Sequence, residues 1–228
     1  MIYRIAELTV EMEPSGRTRA QAEPYRAPAW VGAPDLTVRV DPRQALTWVP
    51  EALTEDEAEY LVSGDMFNVG LLHFGGLMLH SSAVVYSGRT VCFSAPPGTG
   101  KSTHAEKWVR LFGAAILNDD KPALRRTADG WTVYGTPWSG KEDLSRCDAA
   151  PLHAICFLQR GAENRVEPLT PAQALPRLLS QTTRRIGRED MLRLLPLCDA
   201  LLREVPAWLM TCRNDDDAAF VAKRALYS

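Results

Sequence analysis

The chain has 228 residues, a formal net charge of −2, 46% hydrophobic and 24% charged residues. That length can bury a stable core without staples, and the composition is that of an ordinary globular protein. The near-neutral balance excludes a chain built to coat nucleic acid, and no run of about 18 apolar residues is present to span a bilayer, so no membrane partner is expected.

The first 54 residues form a small β-rich part. "YRIAELTVEM" and "LTVRV" read as strands, with "EPSG" and "GAPD" as turns. The start lacks the basic and apolar regions of a signal peptide, which points to a cytoplasmic protein. From Thr54, with Glu57 three residues on, a capping box opens a helical pattern. Glycines at 64, 70, 75 and 76 argue against one unbroken helix there. From His80 the period changes to two. "HSSAVVY", the turn "SGR" and "TVCFS" predict a hairpin.

Next come the loop "APPGTGK", a helix "STHAEKWVRLFG" stopped by Gly113, and a short buried strand "AAIL" ending in "NDDKP". Strand, loop, helix and strand of this size make a βαβ unit with parallel strands. "ALRRTADGWTVYG" predicts a hairpin around Asp129-Gly130, and "TPWSGKEDLSRCDAAP" a long loop with Gly135 and Gly140 as hinges and Lys141 as a mobile charge. A buried strand "LHAICFLQRG", two amphipathic helices, a strand "AWLMTC" and a closing helix complete an α/β chain, divided as 1–54 and 55–228. The five cysteines are odd in number and show no CxxC pairing, so they read as reduced and mostly buried thiols. His73, His104 and His153 have no partner at metal-ligand spacing, and no zinc is assigned.

The loop carries the first candidate site. Between a buried strand and a helix, the loop residues Pro97, Gly98, Thr99, Gly100, Lys101, Ser102 and Thr103 are the candidate phosphate binders, and those after Pro97 can turn backbone N–H groups toward phosphate. Lys101 is placed for the terminal phosphates and Ser102 for Mg²⁺. The usual first glycine of such a loop is Ala95 here. Asp119 and Asp120 close the next strand on the same side of the sheet. Neighbouring strand residues face opposite ways, so one aspartate handles Mg²⁺ or a proton and the other orients it. Asp119 joins Ser102 as an expected metal ligand. His80, one strand earlier, reads as either structural or functional.

The segments "LHSSAVVYSGRTVCFSAPPGTGKSTHAEKW", "ILNDDKP" and "VYGTPWSGK" together resemble the catalytic domain of HPr kinase/phosphorylase. The resemblance covers residues 78–141, weakens over 150–225 and fades before residue 55. It implies a P-loop kinase of the phosphoenolpyruvate carboxykinase-like type, with a mixed sheet flanked by helices. By that resemblance Lys101 and the loop amides hold the β-phosphate region of ATP and Ser102 ligates Mg²⁺. One of Asp119 and Asp120 is then the general base, and His80 lies near the transferred group. Thr103 departs from the acid common after the loop serine in the family, and the later signature segment is absent. The expected acceptor is therefore a serine of a peptide or small protein rather than HPr in particular. ADP or pyrophosphate as phosphate partner stays open, and a homo-oligomer is compatible with the resemblance. A nucleotide-sensing binding module and an ATPase without an acceptor are the alternatives.

Overall fold

A computed structural model of the protein describes residues 1–50, 52–182 and 187–227. In chain order the elements are β1 (Ile2–Ile5), β2 (Leu8–Met12), α1 (Gly16–Ala22), β3 (Leu36–Val38), α2 (Pro42–Ala45) and α3 (Glu55–Leu71). Then come β4 (Gly76–Met78), β5 (Ser81–Tyr86), β6 (Arg89–Ser94), α4 (Lys101–Phe112), β7 (Ala115–Asn118), β8 (Ala123–Thr127) and β9 (Gly130–Tyr134). The chain closes with β10 (Ala149–Arg160), β11 (Arg165–Leu169), α5 (Pro171–Ser180), α6 (Arg188–Glu204), β12 (Ala207–Cys212) and α7 (Asp217–Leu226).

β1, β2 and β3 form a small sheet of their own, and the other strands form a mixed sheet ordered β4-β8-β9-β10-β6-β5-β7, with β12 on β10 and β11 on β12. The first residues of β10 pair antiparallel with β9, and the rest lies parallel between β6 and β12. Successive strand residues point to opposite faces, and the core obeys this. Cys92, Ile155 and Phe157 pack with Leu194, Cys198 and Leu201 of α6 and Leu178 of α5. Val91, Phe93, Cys156 and Leu158 pack on the other face with Ala105 and Trp108 of α4 and Ala219 and Ala222 of α7. Both faces are thus covered by helices, which explains the unbroken apolar runs "VCF" and "AICFL". The architecture is mixed α/β, and among the described residues no helix is long and apolar enough to cross a membrane.

Local signals account for much of this. Thr54 and Glu57 form the expected reciprocal capping box. Ser87 and Gly88 both have positive φ, 50° and 72°, as a two-residue hairpin turn of matching twist requires. Gly113 ends α4 at φ 65°.

The helical stretch from Thr54 does end at Gly75, left-handed at φ 67°, but no break occurs at Gly64 or Gly70, for a steric reason. α3 runs unbroken for 17 residues. A Cβ on Gly64 would lie 3.0 Å from the Trp138 ring, and one on Gly70 would lie 2.4 Å from Leu36. These glycines admit neighbours against the helix. The expected turn at "EPSG" also runs directly into a helix, α1. Gly135 and Gly140 are close approaches rather than hinges: a Cβ on Gly135 would meet the Arg146 carbonyl at 1.8 Å, and one on Gly140 the Asp119 carboxylate at 2.7 Å. Lys141, on the same loop, is exposed.

The third core cluster joins the small sheet to the large one. Tyr3, Ile5 and Val10 pack with Phe67 and Leu71 of α3, with Tyr134, and with Trp138 of the loop after β9. Trp138 is fully buried, stacks on Phe67 at 4.9 Å and donates its indole N–H to the Ser63 hydroxyl at 3.0 Å. Trp138→Ala should cost about 3–5 kcal/mol in urea unfolding. A loss below about 1 kcal/mol would mean that this ring does not seat the loop on α3.

Candidate functional site

Strand directions bring the predicted residues to one edge of the sheet. β6, β10 and β12 are mutually parallel, and β5 is antiparallel to both β6 and β7. β7 therefore runs with β6, as the βαβ reading expects, but β5 is inserted between them. The C-terminal ends of β6, β7, β10 and β12 meet the start of β5 at this edge, the usual place for a ligand in such sheets.

The phosphate-loop candidate sits here. Gly98 and Gly100 take φ values of 76° and 114°, which side chains disfavour. Ala95, at the position of the absent glycine, is not among the positive-φ residues, and its methyl is buried between β6 and α4. Nothing in this loop demands a glycine there. α4 opens with Lys101, whose first-turn N–H groups have no partner within the helix. The helix is anchored by Trp108, whose indole N–H donates to His104 Nε2 at 3.1 Å. Burial lowers the His104 pKa to about 3, so this histidine is a neutral core residue. Lys101 is 7% exposed and donates its Nζ to the Ala95 carbonyl at 3.0 Å. Burial lowers its pKa, while the charge of Asp120 acts in the opposite sense.

At the end of β7 the fully buried Asn118 shapes the acidic turn. Its Oδ1 accepts the backbone N–H groups of Asp120 at 2.9 Å and Lys121 at 2.7 Å, an Asx turn. Its Nδ2 donates to the carbonyls of Thr136 at 3.1 Å and Trp138 at 3.2 Å, which ties the turn to the loop after β9. The two carboxylates then part. Asp119 accepts the Gly140 N–H at 2.5 Å. Asp120 faces His80, with Oδ1 3.2 Å from Nε2. Their proton affinities part as well. Burial raises the Asp119 pKa, helped by the charge of Asp120 and opposed by the Gly140 bond. Burial also pushes Asp120 upward, but the hydrogen bond and charge of His80, with Lys121 and Lys101, outweigh it and hold the carboxyl below its ordinary value.

Two cavities flank the loop. A larger one, about 740 Å³, is lined by Gly98, Lys101, Ser102 and Thr103 on one side and by Arg160 and Arg213 on the other. A smaller one, about 280 Å³, is lined by His80, Asp120, Pro97 and Lys121 with Asp65 and Gln181. The boundary falls between the adjacent residues Pro97 and Gly98, and Asp119 lines neither space. The structure thus gathers His80, Asp120 and Lys101, exposes Ser102 and Thr103 to the larger cavity, and turns Asp119 toward the loop after β9. Ser102 and Asp119 offer oxygen donors of the kind Mg²⁺ prefers.

Several contributors have no local signature. Arg160, at the end of β10, donates to the Gly98 carbonyl at 2.6 Å and braces the loop. Arg17 of α1 donates to the Gly140 carbonyl at 2.6 Å and pairs with Asp143 at 2.6 Å, so Gly140, whose N–H feeds Asp119, is held at its carbonyl as well. Gln181 touches His80. Asn118 alone had a readable signal, an asparagine two residues before a turn N–H.

No family model and no curated protein matches the chain. Among solved structures it is similar to the HPr(Ser) kinase/phosphatase from Coxiella burnetii, with a TM-score of 0.39 and 10% identity over 66% of this chain and 88% of that one. A likeness of that strength concerns arrangement only, and the candidate site rests on its own residues.

Because its pKa is lowered on folding, Asp120 stabilises the fold above the unfolded carboxyl value, about 3.9, and that contribution is lost as pH falls through the folded value. Wild type should therefore exceed Asp120→Asn in stability at pH 7, with the gap closing below about pH 4. Urea unfolding from pH 7 to pH 3 measures this. A gap that stayed constant would exclude the carboxylate charge as its source.

Proposed function

We propose that the chain transfers the γ-phosphoryl group of ATP to a hydroxyl, that of a serine in a peptide or small protein. The observation that carries this reading is the pair of cavities parted by Pro97 and Gly98, one lined by Lys101 and the glycine loop, the other by His80 and Asp120. Phosphoryl transfer needs a donor and an acceptor on either side of one phosphorus atom, and its catalysis is mostly positioning and charge neutralisation. A site for hydrolysis alone has no need of a second cavity with its own histidine and carboxylate.

In this reading the triphosphate occupies the larger space, with its terminal phosphates against the loop N–H groups and Lys101. Arg160 and Arg213 add positive charge along the opposite wall. Ser102, which lines this space, would hold Mg²⁺, which supplies charge neutralisation on the phosphate oxygens when bound, and Asp119, which lines neither cavity, would have to turn from the Gly140 N–H to join it. The acceptor hydroxyl enters the smaller space, whose volume suits a side chain rather than a second nucleotide. Asp120, kept ionised by its neighbours, takes the hydroxyl proton as the oxygen bonds to phosphorus and the bond to ADP breaks. His80 stays beside Asp120, with Nε2 3.2 Å from its carboxylate.

The test is purified protein with γ-labelled ATP, Mg²⁺ and a serine-containing peptide library. Peptide labelling is the expected result. ATP loss without acceptor, or binding without turnover, would replace the kinase reading with the ATPase or the sensor. Lys101→Ala should weaken ATP binding at least about tenfold by calorimetry and abolish labelling. Asp120→Asn should leave ATP affinity within about threefold while lowering labelling by roughly 100-fold or more. If Asp120→Asn labels at the wild-type rate, Asp120 is not the base.

A further inference from the structure

Gln181 follows α5 and is far from the phosphate loop in sequence, yet it holds His80 at two points. Its backbone carbonyl accepts the His80 N–H at 2.8 Å, and its side-chain Oε1 lies 2.8 Å from His80 Nδ1. Gln181 is 7% exposed, and the contact lies on the wall of the smaller cavity.

The neighbouring hydrogen bonds fix which end of the amide meets the ring. Ser180 spends its only hydroxyl proton on the Arg177 carbonyl at 2.8 Å. Its oxygen is therefore an acceptor toward Gln181, and the Gln181 amide nitrogen donates to it at 3.1 Å. That leaves the Gln181 carbonyl oxygen facing the ring, and an amide oxygen only accepts. His80 Nδ1 must then carry a proton. On the far side Nε2 meets the Asp120 carboxylate at 3.2 Å, which also only accepts when ionised. With its Nδ1 proton held by Gln181, the ring turns Nε2 toward that carboxylate.

We propose that Gln181 is a positioning residue that keeps the Nδ1 proton of His80 in place, so that the ring is held with Nε2 against Asp120. One Asp120 oxygen is then occupied by His80 and the other is left for the acceptor proton. The consequence for catalysis rests on the phosphotransfer reading above, whereas the effect on the ring does not. The groups that set this geometry are Asp120 across the ring, Lys101 and Lys121 acting on Asp120, and Ser180 behind the amide.

The experiment is ¹⁵N spectroscopy of histidine-labelled full-length protein at pH 7.5, with His80 assigned through His80→Gln. Nitrogen shifts report which ring atoms carry protons. Wild type should show a protonated Nδ1. Gln181→Glu, which still accepts, should keep that signature, and Gln181→Met, which cannot, should lose it. Ser180→Ala, an exposed change, should let the amide rotate and give a mixture of ring forms. In the labelling assay Gln181→Met should lower kcat at least about tenfold with the KM for ATP unchanged, and Gln181→Glu should recover most of it. An unchanged spectrum in Gln181→Met would overturn the proposal. So would an unprotonated Nδ1 in the wild type that becomes protonated in Gln181→Glu, since the amide would then be the donor. If the wild type labels no peptide, the kinase reading fails while the spectra still decide the role of Gln181.

Discussion

A loop that grips phosphate through its backbone is only as well placed as the strand that delivers it. β6 is hydrogen-bonded along both edges, antiparallel to β5 and parallel to β10, and its apolar residues are buried under helices on both faces. Its last residue is tied as well, because the Ser94 hydroxyl donates to the His80 carbonyl at 2.9 Å. That one bond links the end of the loop strand to the start of the strand that carries the histidine. The rest of the site extends this framework: Asp120 is set by the backbone bond from Ser81 at 2.9 Å, and Arg160 leaves the far end of β10 to brace Gly98.

Much of this was legible because it is local. A capping box, a two-residue turn with positive φ, and glycines flanking a lysine are decided by residues close in sequence, and each appears where the pattern places it. Ala95 shows how a consensus can mislead. The loop uses left-handed backbone at Gly98 and Gly100 but not at the first position, where a buried methyl is useful to the core. The unbroken α3 was misread because glycine was weighed by helix propensity alone, while Gly64 and Gly70 serve packing against Trp138 and Leu36.

What was not legible arrives from a distance. The insertion of β5 between β6 and β7 leaves no trace in the βαβ pattern, since direction and order in a sheet depend on partners elsewhere in the chain. Arg17 reaches Gly140 across the whole first half of the chain, and Gln181 reaches His80 from the end of α5. Neither residue is marked by its neighbours in sequence. Both act through backbone or through another side chain, so no motif built on chemistry alone would select them. The N-terminal strands show the same thing at larger scale: Tyr3, Ile5 and Val10 pack into the cluster that holds Trp138, and so bear on the loop that feeds Asp119.

The single peptide link that parts the two cavities sets a rule for molecules that would fill both. A compound joining a nucleotide-like half to a peptide-like half must pass Pro97 and Gly98. Its second half then binds at the high effective concentration set by the tether, but only if the tether matches the span, because a long flexible one dilutes that advantage. Shape at the junction, more than the quality of either half, would decide which bifunctional ligands this chain holds.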